Sequence, residues 1–502
     1  MTTHNHPYWN FVPSMKHIRK FNFRLIAHLA GMLMVVMASA MLLPIIASIY
    51  YGDGEQFDLI LSSALMMAIG LFFRNILGRG ASYELHEKES FWIVAISWIT
   101  VPLTGSIPYL LTGTLKSFTD AAFESFSGFT TTGASVLCQL NTVPRGLLVW
   151  RSLTQWIGGL GLIMFVIALL RKLNVGSAQL YDAEFSGTVQ RKLHPRISTS
   201  VTFMWLVYLG MTLTLFLLLI LSGNEFLIAF NTALSVVSTG GFQISDAGIE
   251  GLSATSMWFV TIFMFFSGVN IALLFRFITG HGRDLFRSEE FRLYLLVFLI
   301  SFLLSSLSFI LRGNPVKESL GFSAFHLAST ISTCGLTITP PQHWPLLVSA
   351  ITFILIIVGA MSGSTGGGLK LKRIMLLIRY VRNYFIRMIH PNFVFTVRID
   401  KHIISDEYIN KIFAFVFMYI FFIVGGAFIL TLCGLTIPQA VCMAAANISN
   451  LGPTPLLGEV GAHLSYVTLP IAAKWTLMVL MLVGRVEIFA IMAIVSPAYW
   501  RR

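Results

Sequence analysis

Apolar stretches of membrane-spanning length, about twenty residues each, alternate with short polar and basic stretches along nearly the whole of the 502-residue chain. The first runs over residues 25–50 and the second over 57–78, separated by an acidic hairpin at 53–58. After these two the pattern becomes periodic. A long apolar helix is followed by a short helical run, a polar turn containing glycine, and another apolar segment. Repeat one reads as an outer helix at 91–112, a pore helix at 118–128, a turn at 130–134 and an inner helix at 145–171. Repeat two places the same parts at 197–222, 225–236, 237–241 and 254–279. Repeat three places them at 291–312, 319–331 and 332–336, with an interrupted inner segment from 346. Repeat four follows at 408–433, 438–448, 449–453 and 467–495. The turn glycines lie about a hundred residues apart, and internal repetition of this kind decides the fold before any other signal.

The pattern predicts an all-α polytopic membrane protein: four tandem helix–pore loop–helix repeats around a pseudo-fourfold pore, plus two N-terminal transmembrane helices. The expected divisions are 1–79 for the N-terminal tail and extra helices, 80–175, 176–284, 285–401 and 402–502 for the four repeats.

The turns carry the chemistry. They read Thr130-Thr131-Thr132-Gly133, Val237-Ser238-Thr239-Gly240, Ser332-Thr333-Cys334-Gly335 and Ser449-Asn450-Leu451-Gly452. Extended backbone at membrane depth must be buried in protein or line a watery cavity, because lipid leaves its N–H and C=O groups unsatisfied. Carbonyls around a shared axis replace the hydration shell of a cation. Gly133, Gly240, Gly335 and Gly452 suit the bend. The carbonyls offered are those of Thr131 and Thr132, Ser238 and Thr239, Thr333 and Cys334, Asn450 and Leu451. Each pore helix would aim its partly negative C-terminus at the axis, which favours a cation. Four glycines suggest a wide, potassium-type ring.

Two further features sit at membrane depth. The run 359–368, GAMSGSTGGG, interrupts the third inner segment. Gly359, Gly363, Ser364, Thr365, Gly366, Gly367 and Gly368 are expected to break the helix and form a mobile gate loop beneath the filter. The run lacks GxxxxGK[ST] and a preceding strand, so a phosphate-binding loop is a poor match. Arg485 lies inside the last span, where a charge faces protein or water. It is expected to project into the pore and meet the gate loop, since Glu487, two positions on, diverges around the helix.

Composition agrees: 56% of residues are hydrophobic, 11% charged, and the mean hydropathy is +0.77. The net charge of +12 does not indicate nucleic acid, because the basic residues cluster in loops on one side of the predicted spans. Lys116, Arg145, Arg151, Arg312, Lys317 and Lys474 fall on the outer side and Arg485 in mid-span. The rest are cytoplasmic, which orients ten full spans with both termini inside and all four turns outside. Cys138, Cys334, Cys433 and Cys442 show no metal-ligand spacing and no disulfide framework. The twelve histidines do not cluster. Lys474 reads as an interfacial anchor, Glu124 as a structural group in the first pore helix, and Asn231 and Asn270 as interhelical bonding partners. No paired catalytic residues occur at membrane depth, so an enzyme is not expected. A proton- or sodium-coupled symporter on the same fold is the competing reading.

The motifs together resemble a known family. DAAFESFSGFTTTGAS, SVVSTGGF, STISTCGLT and NISNLGPTP are similar to the four pore segments of the Trk/Ktr/HKT superfamily of potassium transporters. GAMSGSTGGGLKLKRI looks like its intramembrane gate loop, and KWTLMVLMLVGRVEIF like its last helix, with Arg485 at the pore arginine. The two extra N-terminal helices make the chain more similar to the bacterial Trk-type membrane subunit than to the shorter Ktr type. Cys334 and Leu451 depart from the commonest pattern but keep their carbonyls. The resemblance implies potassium as the transported ion, no organic cofactor on this chain, and a homodimer in the bacterial inner membrane. It also implies a cytoplasmic nucleotide-binding regulatory subunit of the TrkA kind, for which 370–401 and 276–292 are candidate docking surfaces.

Overall fold

The computed structural model describes residues 22–82, 87–161, 197–245, 248–249, 251–338, 344–390, 396–400, 402–452, 466–486, 488 and 492. The expectations for the remainder, including loop 171–196, Glu487 and both termini, lie outside the described residues.

The architecture is that of the predicted class. The N-terminal pair consists of Phe23–Tyr51, which bends at Met41, and Gln56–Leu77, whose last turn, Phe73–Leu77, is a π-helix. Outer helices follow at Glu89–Leu111, Ile197–Leu221, Glu289–Leu311 and Asp406–Leu432. Each outer helix leads to a pore helix: Phe118–Phe129, Phe226–Val237, Val316–Ile331 and Ile437–Ile448. The outer helices of repeats two to four expose rows of leucine, isoleucine or phenylalanine, as lipid contact requires, while that of repeat one is more covered, and the last two turns of each pore helix are buried. A helix only twelve residues long (sixteen in repeat three) reaches about half-way through a bilayer at ~1.5 Å per residue.

The inner helices differ from expectation. They run Arg145–Gly159, Ala254–Ser267, Leu346–Val358 and Ile471–Arg485. At roughly 20–22 Å each, none crosses the ~30 Å core as one straight helix. The second inner helix was expected to be continuous over 254–279, but it breaks at Gly268–Asn270 and resumes as Ile271–Ile278, bent by 111°. Asn270 causes the break. Its Oδ1 accepts from the amides of Ala272 and Leu273 and caps the new helix, while its Nδ2 donates to the Ser362 carbonyl at 2.6 Å. The third inner segment is therefore not alone in being interrupted. Six described helices are long and apolar enough to span a membrane, seven if the bent pair counts as one span.

The basic stretch 370–401, expected on the cytoplasmic side, also departs from a simple docking surface. Arg373 is buried with its guanidinium 3.9 Å from the Phe415 ring centroid, Lys370 donates to the Gly366 carbonyl, and Arg379 pairs with Glu289 at 2.7 Å. Arg382 and Arg387 remain exposed.

Cys138 is the exposed cysteine, while Cys334 and Cys442 are buried. With the turns facing outward, a variant retaining Cys138 alone should react with a membrane-impermeant maleimide added outside intact spheroplasts. Labelling only after lysis would invert the topology.

Candidate functional site

All four pore helices end the same way. Thr130, Ser238, Ser332 and Ser449 are the C-caps. The next residues, Thr131, Thr239, Thr333 and Asn450, adopt left-handed backbone with φ of 55°, 56°, 59° and 55°. Their amides donate to the carbonyls of Gly128, Val236, Thr330 and Asn447 at 3.0–3.1 Å. The amides after them, of Thr132, Gly240, Cys334 and Leu451, reach back to Ser127, Ser235, Ser329 and Ala446 at 2.8–2.9 Å. This pair of bonds is the Schellman ending, normally built on glycine. Three β-branched threonines and an asparagine hold it here. A non-glycine residue in that region costs on the order of 1–3 kcal/mol, and such strain persists only where the surroundings over-determine it.

The bond pattern corrects the register in repeat two. Gly240 stands where Thr132, Cys334 and Leu451 stand, and Gly241, with φ 75°, is the counterpart of Gly133 (80°) and Gly335 (85°). The segment is Ser238-Thr239-Gly240-Gly241, one residue later than spacing alone suggested.

The four turns meet. A methyl built on Gly133 would lie 2.2 Å from the Gly240 carbonyl oxygen, and one on Gly241 would lie 1.9 Å from that of Cys334. One on Gly452 would lie 2.0 Å from the Ala134 nitrogen and 2.6 Å from the Thr132 oxygen. Repeat one thus abuts two, two abuts three, and four abuts one. Asn450 Nδ2 adds a bond to Thr132 Oγ1 at 3.2 Å.

The loop 359–368 lies directly beneath these turns. Met361 donates to the Gly268 carbonyl at 3.1 Å and Ile271 to that of Gly363 at 3.0 Å, so the loop is laid into the break of the second inner helix. Glu290 takes the Ser362 amide at 2.6 Å. Nearer the axis, the Gly367 amide donates to Thr333 Oγ1 at 2.7 Å. Thr365 Oγ1 reaches the carbonyls of Val237 and Ser267 at 3.3 and 3.2 Å. Arg485 crosses from the fourth repeat and donates to the Thr365 carbonyl at 2.8 Å and to the carbonyls of Gly158 and Gly159. A cavity of ≈ 70 Å³ remains, lined by Trp98, Gly159, Gly366, Lys370, Asn450 and Arg485.

Other polar residues fall elsewhere than expected. Lys474 is buried and pairs with Asp120 at 2.6 Å instead of anchoring at the interface. Glu124 is structural, as expected. Its partner Arg151, assigned to an outer helix end, is itself 1% exposed and forms an ion pair with it at 2.8 Å. Removing one member of such a pair costs ~3–5 kcal/mol, because the other charge is left buried. Asn270 bonds as expected, while Asn231 is buried without a hydrogen-bond partner among the described residues. Sequence reasoning missed the buried outer-helix tyrosines. Tyr208 donates to the Trp156 carbonyl at 2.8 Å, Tyr294 to that of Phe265 at 3.0 Å, and Tyr419 meets Ser449 Oγ at 2.6 Å.

Four half-spanning helices with strained ends around one axis define a four-repeat, pore-loop membrane transport protein. A family model described as "TrkH: Cation transport protein" matches residues 66–502, and the chain belongs to that family. It is similar to the Trk system potassium uptake protein TrkH of Halomonas elongata, 32% identical over 96% of this chain and 100% of that protein. It is also 28% identical to the Trk system potassium uptake protein TrkG of Escherichia coli, over 95% of this chain and 99% of that one. The crystal structure of the potassium transporter TrkH from Vibrio parahaemolyticus superposes with a TM-score of 0.85, at 29% identity, covering 95% of this chain and 100% of that one. The chain is a transport protein and not an enzyme.

The register can be tested by substitution. In Gly240→Ala the new methyl meets the Gln155 side-chain amide, 2.3–2.7 Å away, and Gln155→Ala in the same chain should restore transport. In Gly241→Ala it meets backbone at positive φ, and no side-chain truncation should rescue it. Equal rescue of both variants would refute the assignment.

Proposed function

We infer that this chain carries potassium inward across the bacterial inner membrane. The ion would pass a ring of carbonyls from Thr131, Thr132, Thr239, Gly240, Thr333, Cys334, Asn450 and Leu451, bounded by Gly133, Gly241, Gly335 and Gly452. The convergence of four identical left-handed helix endings on one axis carries this reading, and the relatives named as potassium uptake proteins support it. Loop 359–368 is the gate and Arg485 its latch. Three guanidinium bonds to carbonyls of two repeats hold the loop across the path beneath the filter. The cation on Arg485 also repels a passing ion, so opening requires both to move.

Regulation comes from a cytoplasmic nucleotide-binding subunit acting on a homodimer of this chain, with both termini inside. The exposed Arg382 and Arg387 and the loop 276–292 face that partner, whereas the inward-turned Lys370 and Arg373 stay with the gate.

Rubidium uptake by cells lacking their own potassium systems tests the function. Expression of the chain should restore uptake, and sodium should compete poorly. Arg485→Gln keeps a bonding group but loses the charge and most of the bonds. Unstimulated uptake should rise by about tenfold, the factor that one lost charge-assisted hydrogen bond gives. Uptake unchanged or reduced in that variant, at equal membrane content, would remove Arg485 from the gate.

A further inference from the structure

Arg151 lies on the first inner helix on the outer side of the filter, and the function proposed above gives it no role. Its guanidinium has three kinds of partner. Nε donates to Glu124 Oε1 at 2.8 Å, Nη2 to Ser135 Oγ at 3.1 Å, and Nη1 to the Gln243 carbonyl at 2.9 Å. Its carbon centre sits 4.0 Å from the centroid of the Phe242 ring. Glu124 in turn accepts from Ser135 Oγ at 2.9 Å and from the Val136 amide at 2.9 Å. Ser135 and Val136 follow filter one by two and three residues, and Phe242 and Gln243 directly follow filter two. One turn along the helix from Arg151, Gln155 Oε1 accepts from the Phe242 amide at 3.3 Å.

The same junction holds the close approach of Gly133 to the Gly240 carbonyl. The arrangement therefore ties two neighbouring quarters of the ring to each other from behind. The other quarters have weaker counterparts. The equivalent position in repeat three holds His326 and Thr352, 3.0 Å apart. Repeat four has the apolar Met443 and Leu477 there. Among the described residues one other ion pair joins two repeats, Lys474 of repeat four with Asp120 in the first turn of pore helix one, whereas Arg151 bonds the segments that directly follow two filters.

We propose that Arg151, held by Glu124, is a specificity-determining positioning residue: it clamps the outer mouth of the filter between repeats one and two and thereby sets discrimination between potassium-sized and smaller cations. The proposal rests on the filter reading above. Selection by carbonyls depends on their number, field and freedom to close around a smaller ion. A planar fork reaching a carboxylate, a hydroxyl and a carbonyl restrains that freedom. A lysine keeps the charge and the bond to Glu124 but has no fork, so it gives up the tie to the second repeat.

The test is the ratio of initial rubidium to sodium uptake in potassium-uptake-deficient cells expressing the full chain, a ratio that cancels the amount of protein inserted. Arg151→Lys should lower it by about tenfold, the worth of one charge-assisted bond, with rubidium uptake retained. If Arg151→Lys does not assemble, Glu124→Gln with Arg151→Gln, which leaves no unpaired buried charge, should show the same loss. Gly241→Ser runs alongside. A native ratio in the Arg151 variants with an altered one in Gly241→Ser overturns the clamp and leaves the filter standing. A native ratio in all of them overturns both. Reduced protein with a native ratio assigns Arg151 to stability only, which also overturns the proposal.

Discussion

Four helix ends held in left-handed backbone at membrane depth are the constraint that shapes this molecule. Each such ending turns the chain sharply and frees carbonyls that lipid has no means to satisfy. Everything around them must press in close. The first inner helix passes so near that a methyl on Gly158 would stand 1.9 Å from the Phe129 carbonyl, and in the fourth repeat Gly484 lies as near Ile448, at 2.0 Å. Those carbonyls end the first and fourth pore helices. Small residues on the inner helices are thus set by the strained turn, and so are Tyr208 and Tyr294, which prop an inner helix against the next repeat, and Tyr419, which meets the C-cap Ser449 of its own repeat.

A single chain with four unequal quarters can vary one position four ways. Behind the four turns, equivalent positions hold Glu124 paired with Arg151, Thr232 and Val260, His326 bonded to Thr352, and the apolar Met443 and Leu477. The charge pair is the most specific of these and the most exacting, since a buried ion pair gains little unless every remaining bond is satisfied. Glu124 and Arg151 meet that condition through Ser135, Val136 and Gln243. The asymmetry continues below, where one inner segment gives way to the loop 359–368 and another breaks to receive it. A symmetric assembly of identical subunits would have to order four loops or have none.

Much of this was legible in the sequence because two periods, the membrane span and the repeat, are strong. The pore helices and their turns, the interruption at 359–368 and the mid-span Arg485 follow from hydropathy and from glycine. Spacing was blind to register: Gly240 and Gly241 are adjacent and identical, and only the hydrogen bonds to Ser235 and Val236 distinguish them. The burial of Lys474 contradicts its reading as an interfacial anchor, and that of Arg151 gave no sign in the sequence, because charge near a helix end normally marks an interface. Their acidic partners, Glu124 and Asp120, sit on a pore helix far away in sequence. The break at Gly268–Asn270 gave little warning, since a lone Ser-Gly-Val-Asn in an apolar run resembles ordinary small-residue packing. Its cap was visible only once Asn270 was seen to reach Ser362.

That break explains how the loop 359–368 is held in an ordered conformation at all. A ten-residue run rich in glycine loses much entropy on ordering, and a helix surface offers it no free backbone groups. A broken helix does. Gly268 presents a carbonyl and Ile271 an amide, and both are taken by the loop at Met361 and Gly363. Asn270 and Glu290 then take the two backbone groups of Ser362. The first half of the loop is therefore ordered like a strand edge. The second half, 364–368, is held mainly by side chains: Thr333, Lys370 and Arg485. Side-chain bonds to a charged head can be exchanged for water or for an ion more readily than paired backbone can. The half beside Arg485 is therefore the less firmly held, and the half beside Asn270 the more firmly held. Glu290 is the neighbour of Glu289, whose amide bonds Asp400 and whose carboxylate pairs with Arg379. The first half of the loop is thus joined through one helical turn to Asp400 and Arg379.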